Sequence, residues 1–218
     1  MKDSKVYASK LRRLLRGLQG STSKEELADQ QDLPQALIYG VICEHFSDSH
    51  AQQMYRRIIR HFVDLNDLRV STPEEIMDVW GDRSAMARVA ATKLLSLLMT
   101  VFNKFHTLDL NAIKKTGKKP AKQFLQALDG ISRFALDYSM LTCLGAHAIP
   151  VNEQMVQYLK AAELVHPEAD MDQICSFLAK VIPAKRAYAA YRLLRKHAQN
   201  WACHAKGTTQ KTIHNDRS

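Results

Sequence analysis

Apolar residues recur along most of the chain at the three- and four-residue spacing of α-helices. The longest such run covers residues 84–105, where apolar side chains occupy most of the helix circumference, so this helix is expected to run through a core. Strand-like alternation of apolar and polar residues is hard to find. The pattern therefore predicts an all-α fold, with further helices over residues 6–18, 33–44, 153–164 and 171–181 and a last helix after Pro183.

Two polar clusters mark helix starts. Thr72, Pro73 and Glu75 supply an N-cap, a proline at the first helical position and an acid at the third, which predicts a short helix through residue 79. Ser23 stands three residues before Glu26, the spacing of a capping box, and predicts the start of another short helix. Both clusters fit connections between helices.

Residues 128–132, Leu-Asp-Gly-Ile-Ser, predict a tight turn between a helix over 120–127 and another over 133–144. Gly130 supplies a backbone that can take a positive φ. Such a turn can point backbone N–H groups outward at the start of a helix, where an anion such as phosphate binds. An ordinary helix–loop–helix turn is the alternative, because glycine is common in such turns.

Basic residues are concentrated in three segments of a chain whose net charge is +9. Residues 1–20 hold six Lys or Arg against one acid, residues 113–133 six against one, and residues 180–218 nine against one. If these segments share a face, that face attracts a polyanion; a solvated surface with disordered basic ends is the alternative. The polyanion is favoured because five lysines precede the turn: Lys114, Lys115, Lys118, Lys119 and Lys122.

The length and composition bound the class of protein. With 218 residues, 46% of them hydrophobic, the chain can bury a substantial core as one large domain or two lobes. The first residues lack an apolar signal core, and we expect no stretch to approach the ~20 apolar residues needed to cross a membrane. We therefore expect a soluble cytoplasmic protein, nucleoid-associated if bacterial, with no membrane partner. The cysteines have no close partner in sequence, which argues against a zinc site or disulfide framework: Cys43, Cys143, Cys175 and Cys203.

A family resemblance extends beyond the turn. Residues 128–135 read Leu-Asp-Gly-Ile-Ser-Arg-Phe-Ala, and residues 148–152 read Ala-Ile-Pro-Val-Asn. This resembles the helix-hairpin-helix-GPD family of DNA glycosylases, the endonuclease III group. There the hairpin reads Leu-Pro-Gly-Val-Gly-Arg-Lys-Thr-Ala, and a later Ile-Pro-Val-Asp supplies the catalytic aspartate at the same separation. The order of segments can be followed from residue 33 to residue 197.

The two columns that carry the family's chemistry differ in this chain. Phe134 stands in the lysine column and has no amine to attack the sugar, so strand cleavage through a Schiff base is not expected. Asn152 stands in the aspartate column and supplies neither negative charge nor a basic oxygen for base removal. The resemblance thus implies the family's fold and its duplex DNA partner, with the lyase and glycosylase chemistry lost.

The resemblance also implies the arrangement of lobes. Residues 33–145 would form one helical lobe, with the helix-hairpin-helix at about 120–145, and residues 1–32 with 146–205 would form the other. A damaged base would enter the cleft between them. We expect residues 206–218 to be a disordered basic tail.

DNA contacts are expected at the hairpin and at one earlier loop. His45 falls where relatives insert a glutamine into the base stack, although a structural histidine is the alternative. Asp129 replaces a proline of the family's hairpin, and its charge would weaken phosphate binding. The hairpin residues expected to contact DNA are Lys118, Lys119, Lys122, Leu128, Gly130, Ile131, Ser132 and Arg133.

The resemblance bears on cofactors as well. Many relatives carry a four-cysteine iron–sulfur cluster after the last helix, and here only Cys203 lies near its start, so no cluster is expected. In the family, hairpin carbonyls hold a cation against a DNA phosphate. The carbonyls of Leu128 and Gly130 could hold a monovalent or divalent cation in the same way.

Two function classes follow. The first is a DNA-binding protein that recognises distorted or damaged duplex and has lost the reaction. The second is a monofunctional DNA glycosylase, without lyase activity, that uses a relocated acid. Candidates for that acid are Glu44, Asp137 and Glu153, for each of which a helix cap or surface charge is the alternative.

Overall fold

The computed structural model describes residues 4–16 and 32–215, with side chains described up to residue 204. All regular elements in these ranges are helices, so the all-α prediction is confirmed. In chain order they are α1 (Ser4–Arg16), α2 (Leu33–His45), α3 (Asp48–His61), α4 (Leu65–Val70), α5 (Pro73–Trp80), α6 (Ala85–Phe105), α7 (Asn111–Lys115), α8 (Lys118–Gln126), α9 (Arg133–Thr142), α10 (Glu153–Ala161), α11 (Met171–Val181), a 3-10 helix (Ala184–Arg186) and α12 (Ala187–Asn215).

Helix starts follow the local signals of the sequence. The Thr72 hydroxyl accepts a hydrogen bond from the Glu75 N–H at 3.2 Å and caps α5, as predicted. Gly81, at φ 66°, ends that helix in the left-handed region. The predicted cap at Ser23 lies outside the described residues.

The chain forms two compact units. One contains residues 27–150 and is called the continuous unit below. The other, the discontinuous unit, combines residues 1–26 with residues 151–218. The lobes expected from the sequence have their boundaries at residues 33 and 146.

Helices α2 and α9 pack together in the centre of the continuous unit. Nearly every residue of α2 from Leu33 to Cys43 is buried, as expected of a helix that is apolar all round. Gly40 lets the two helices approach closely, because a methyl group at that position would lie 3.1 Å from the Cα atom of Ala135 in α9. Seven of the ten residues of α9 are buried. The hairpin is thus attached to the core through α9.

Helix α6 is the long core helix that its apolar pattern predicted. It packs against α2, α4 and α5. With 21 residues, this helix is long and apolar enough to cross a membrane by length and composition alone. This corrects the expectation that the chain has no such stretch. The physical reason is that a helix buried on several sides has the same composition as a membrane span.

In the discontinuous unit, α10 packs on α12 and α1 packs on α11. Leu11 and Leu15 of α1 are buried, and Lys10 Nζ lies 2.8 Å from Glu163 Oε2. Helix α12 continues to Asn215, so most of the segment predicted to be disordered, residues 206–218, is helical. The segment 203–215 contains no proline and only one glycine, so nothing in its backbone chemistry ends the helix. Residues 216–218 lie outside the described residues.

Candidate functional site

The predicted turn between two helices lies between α8 and α9. Gly130 has φ 82°, which an L side chain would adopt only with strain. The Ile131 N–H donates to the Leu128 carbonyl at 3.3 Å and closes the turn. The Ser132 hydroxyl caps α9 by accepting from the Ala135 N–H at 3.0 Å. Leu128 is buried, whereas Asp129 and Gly130 are exposed, so the apex of the turn faces solvent.

The lysines before this turn are all exposed, but they differ in their contacts. Lys118 Nζ donates to the Gly145 carbonyl at 2.6 Å and so ties the start of α8 to the loop after α9. Burial raises the pKa of Asp137, and the charge of Lys122 opposes that rise. Lys119 is exposed at the first turn of α8. The structure therefore gives Lys118 a structural contact that the sequence did not predict.

Asp137 is a partly buried carboxylate on α9. Its side chain is 14% exposed, and its Oδ2 lies 3.5 Å from Nε of Arg133, one turn earlier. Burial raises the pKa of Asp137, and the charges of Arg133 and Lys122 oppose that rise. Of the three candidate acids, Asp137 is the one held between two predicted DNA-contacting cations.

His45 lies at the end of α2 in a small polar cluster. Its Nε2 is 3.3 Å from Lys93 Nζ and 3.7 Å from Glu44 Oε2. Burial lowers the pKa of His45; the Glu44 carboxylate opposes this and the Lys93 ammonium adds to it. The imidazole is therefore mainly neutral at pH 7. Insertion into DNA would require the ring to leave these contacts.

Helix α6 lies beside both His45, the last residue of α2, and the turn at Gly130. Lys93 contacts His45, and a methyl group on Gly130 would lie 3.7 Å from the Ser96 hydroxyl. Lys93 and Ser96 are three residues apart, so they lie about 5 Å apart along one side of the helix. The two segments predicted to contact DNA are thus brought to one side of the continuous unit. Neither Lys93 nor Ser96 was predicted from the sequence, although Lys93 is a charged residue within a mainly apolar stretch.

As the pH falls from about 7.5 to about 5.5, we expect the free energy of unfolding to decrease less in His45→Gln than in the parent. Because the pKa of His45 is lowered in the folded protein, the unfolded chain takes up this proton first as the pH falls below about 6.5, the ordinary value. Proton uptake by the unfolded chain then lowers the free energy of unfolding of the parent, and glutamine lacks this effect. Urea denaturation at several pH values measures it. His61→Gln, at an exposed histidine of α3, should follow the parent, and an equal pH dependence in both variants would contradict the expectation.

Phe134, in the lysine column, is part of an aromatic cluster. Its side chain is 2% exposed and stacks on Tyr138 with ring centroids 6.4 Å apart. The ring centroids of Tyr138 and Tyr39 are 5.5 Å apart, and those of Tyr39 and Tyr55 are 5.6 Å apart. Burial is the main reason that the pKa of Tyr55 is raised to about 12, and the nearby Asp32 and Cys143 add to the rise. A core aromatic thus stands where the family has a reactive amine.

Asn152, in the aspartate column, is the N-cap of α10 in the discontinuous unit. Its Oδ1 accepts a hydrogen bond from the Met155 N–H at 3.0 Å, and the residue is 8% exposed. Aspartate, asparagine and serine are all good N-caps, so capping alone does not require an amide here. Glu153 follows in the first turn and is exposed, where its charge stabilises the helix start.

At the level of sequence, no protein-family model and no curated protein matches this chain.

Solved structures match the chain along most of its length. Endonuclease III, trapped as a covalent intermediate with DNA, has a TM-score of 0.67 at 14% identity over 89% of this chain and 85% of that one. The Clostridium acetobutylicum 8-oxoguanine glycosylase/lyase in complex with double-stranded DNA has a TM-score of 0.66 at 16% identity, over 91% of this chain and 71% of that one. The H. pylori 3-methyladenine DNA glycosylase has a TM-score of 0.63 at 14% identity, over 90% of this chain and 98% of that one. The predicted fold, that of the helix-hairpin-helix glycosylases, is confirmed.

Proposed function

We propose that this protein binds duplex DNA through the α8–α9 hairpin and recognises damaged or distorted sites. The observation that carries the proposal is the positive-φ turn at Gly130, capped by Ser132 and preceded by exposed lysines, in a chain with a glycosylase fold. Backbone N–H groups at the start of α9 and lysine ammonium groups both attract phosphate. The His45 loop, on the same side of α6, adds a second segment that can approach the duplex.

We infer further that the family's lyase chemistry is lost in this protein, and its glycosylase chemistry with it. Phe134 offers no nucleophile and packs against Tyr138. Asn152 uses its side-chain oxygen to cap α10 and cannot supply a negative charge to a sugar cation. Binding without chemistry is the function that both substitutions support.

Replacing Lys119 and Lys122 together by alanine should weaken duplex binding at every sequence tested. Each phosphate neutralised by a lysine contributes about 0.9 to the slope of log K against log salt, so the slope should fall by about 2. The parent should bind with micromolar or tighter affinity at low salt. Fluorescence anisotropy over a range of salt concentrations measures both quantities.

The matched control removes the same charge from α1 in the discontinuous unit. Lys5→Ala with Arg13→Ala takes away two exposed cations and should leave the slope nearly unchanged. If the hairpin variant bound as tightly as the parent, the hairpin would not be the DNA site. Lys118→Ala belongs in a separate variant, because this side chain also holds the Gly145 carbonyl.

A second candidate function is a monofunctional DNA glycosylase with a relocated acid. The observation that favours it is Asp137, whose burial raises its pKa and so favours the protonated form that a general acid needs. Glu44, beside His45, and the exposed Glu153 are weaker candidates. Base-release assays over a panel of damaged duplexes, with a heat-alkali step, decide between the two functions. Release that is lost in Asp137→Asn would establish the second.

We also propose that DNA binding at the hairpin includes a cation. The carbonyls of Leu128 and Gly130 would contribute ligands, and a DNA phosphate would complete the site. The Leu128 carbonyl accepts one hydrogen bond within the turn, which leaves it a second lone pair. Duplex affinity that depends on the identity of the added cation at constant ionic strength would support this proposal.

A further inference from the structure

The discontinuous unit contains a cavity of about 380 Å³ between the end of α1 and the segment that joins α11 to α12. The apolar part of its lining consists of Leu15, Val181, Pro183 and Ala190. Leu15 and Ala190 are buried, so this part of the lining belongs to the core. Small-molecule sites have volumes of about 300–1,000 Å³, and this cavity is at the lower end of that range. It can hold one small ligand with an apolar portion.

Three arginines line the same cavity: Arg12 and Arg16 of α1, and Arg186 from the 3-10 helix before α12. Arg12 and Arg16 are one helical turn apart, so their charges lie on the same side of α1 and repel each other. No acidic residue occurs among the described residues that line the cavity. The site therefore complements an anion attached to an apolar group.

We propose that this cavity binds a free nucleoside monophosphate. Guanidinium groups match phosphate oxygens with paired hydrogen bonds, and two of them can share one dianionic phosphate. The third, Arg186, can stack on the face of a base, while the apolar lining covers the rest of the ring system. A single carboxylate carries one negative charge, whereas a phosphate monoester carries nearly two at pH 7, so only the phosphate can neutralise both Arg12 and Arg16. The proposal does not rest on DNA binding by the hairpin, which lies in the continuous unit.

Isothermal titration calorimetry of the full-length protein with adenosine 5′-monophosphate tests the proposal. We expect saturable one-to-one binding, with adenosine and inorganic phosphate each bound at least 10-fold more weakly. Arg12→Ala with Arg16→Ala should weaken binding of the monophosphate at least 10-fold. Ser9→Trp should do the same without any change of charge, because Ser9 is exposed at the cavity and the indole would fill it.

The Lys5→Ala and Arg13→Ala double variant is the matched control, since it removes two charges from the same helix at positions that do not line the cavity. It should bind the monophosphate like the parent. The proposal is overturned if the control loses as much affinity as the cavity variant, if phosphate alone binds equally well, or if no binding is saturable. Arginine-dependent binding of decanoate or of a thymidine pentanucleotide, but not of the monophosphate, would also overturn it. The Lys119 and Lys122 variant separates the two sites, because it should lose duplex affinity and keep nucleotide affinity.

Discussion

Asn152→Asp is expected to release bases from damaged duplex DNA about 100-fold faster than the parent. The substitution restores a carboxylate to the aspartate column, and acid–base groups in that role contribute about 10²–10⁴-fold. One carboxylate oxygen can keep the hydrogen bond from the Met155 N–H while the other remains available to the sugar or to water. The start of α10 favours the added negative charge. The measurement is base release over a panel of damaged oligonucleotides with heat-alkali cleavage.

Asn152→Ser is the matched control for this experiment. Serine caps a helix about as well as asparagine and carries no charge, so the variant should fold like the parent and release bases no faster than the parent. A decrease of activity in Asn152→Asp would contradict the expectation. It would show that a relocated acid already acts, because a second carboxylate nearby raises one of the two pKa values. If the parent released bases at an ordinary enzymatic rate and Asn152→Ala did not change that rate, the proposal of binding without chemistry would be wrong.

Phe134→Lys is expected to destabilise the protein by at least ~3–5 kcal/mol and to gain no lyase activity. Removal of a buried phenyl ring costs about 3–5 kcal/mol by itself, and an ammonium group introduced where the phenylalanine is 2% exposed adds a desolvation cost. The stack on Tyr138 is lost as well. Urea denaturation measures the stability. Borohydride trapping on abasic DNA should give no covalent adduct with either the parent or the variant.

Phe134→Leu separates the loss of the ring from the introduction of the charge. Leucine keeps the position apolar and should cost about 1–2 kcal/mol, well below the lysine variant. A lysine variant as stable as the parent would mean that the side chain reaches solvent. A trapped adduct in that variant would mean that the position still faces bound DNA, and the inferred loss of chemistry would then rest on one substitution. An adduct with the parent would point to another amine, first to Lys122 or the N-terminus.

Much of the local structure could be predicted from the sequence, because helix boundaries depend on a few neighbouring residues. Thr72 and Pro73 marked the start of α5, and both stand where the pattern placed them. The turn at Gly130 followed from a glycine between two apolar helical stripes. The apolar circumference of residues 84–105 predicted a core helix, and α6 packs against three others. The tail was the exception, because its polar composition says little about whether a neighbouring helix continues through it.

The motifs of residues 128–135 and 148–152 carried the resemblance to the helix-hairpin-helix glycosylases, and that resemblance implied the arrangement of helices that the solved structures share. They identified the positions of Phe134 and Asn152. They did not indicate what those side chains do instead of chemistry. Stacking on Tyr138 and capping of α10 became visible only in three dimensions, because each contact depends on the direction in which a helix presents its side chains.

Only the tertiary structure decided which charges meet. Lys118 was grouped with Lys119 and Lys122 by sequence, yet it holds the Gly145 carbonyl. Asp137 was one of three equivalent carboxylates until burial and the nearby cations distinguished it. The arginine cavity joins Arg12 and Arg16, near the start of the chain, to Arg186, near its end. Sequence spacing determines which side chains are neighbours within one helix. Burial and contacts between residues far apart in sequence depend on how several helices pack, and no local sequence pattern specifies that packing.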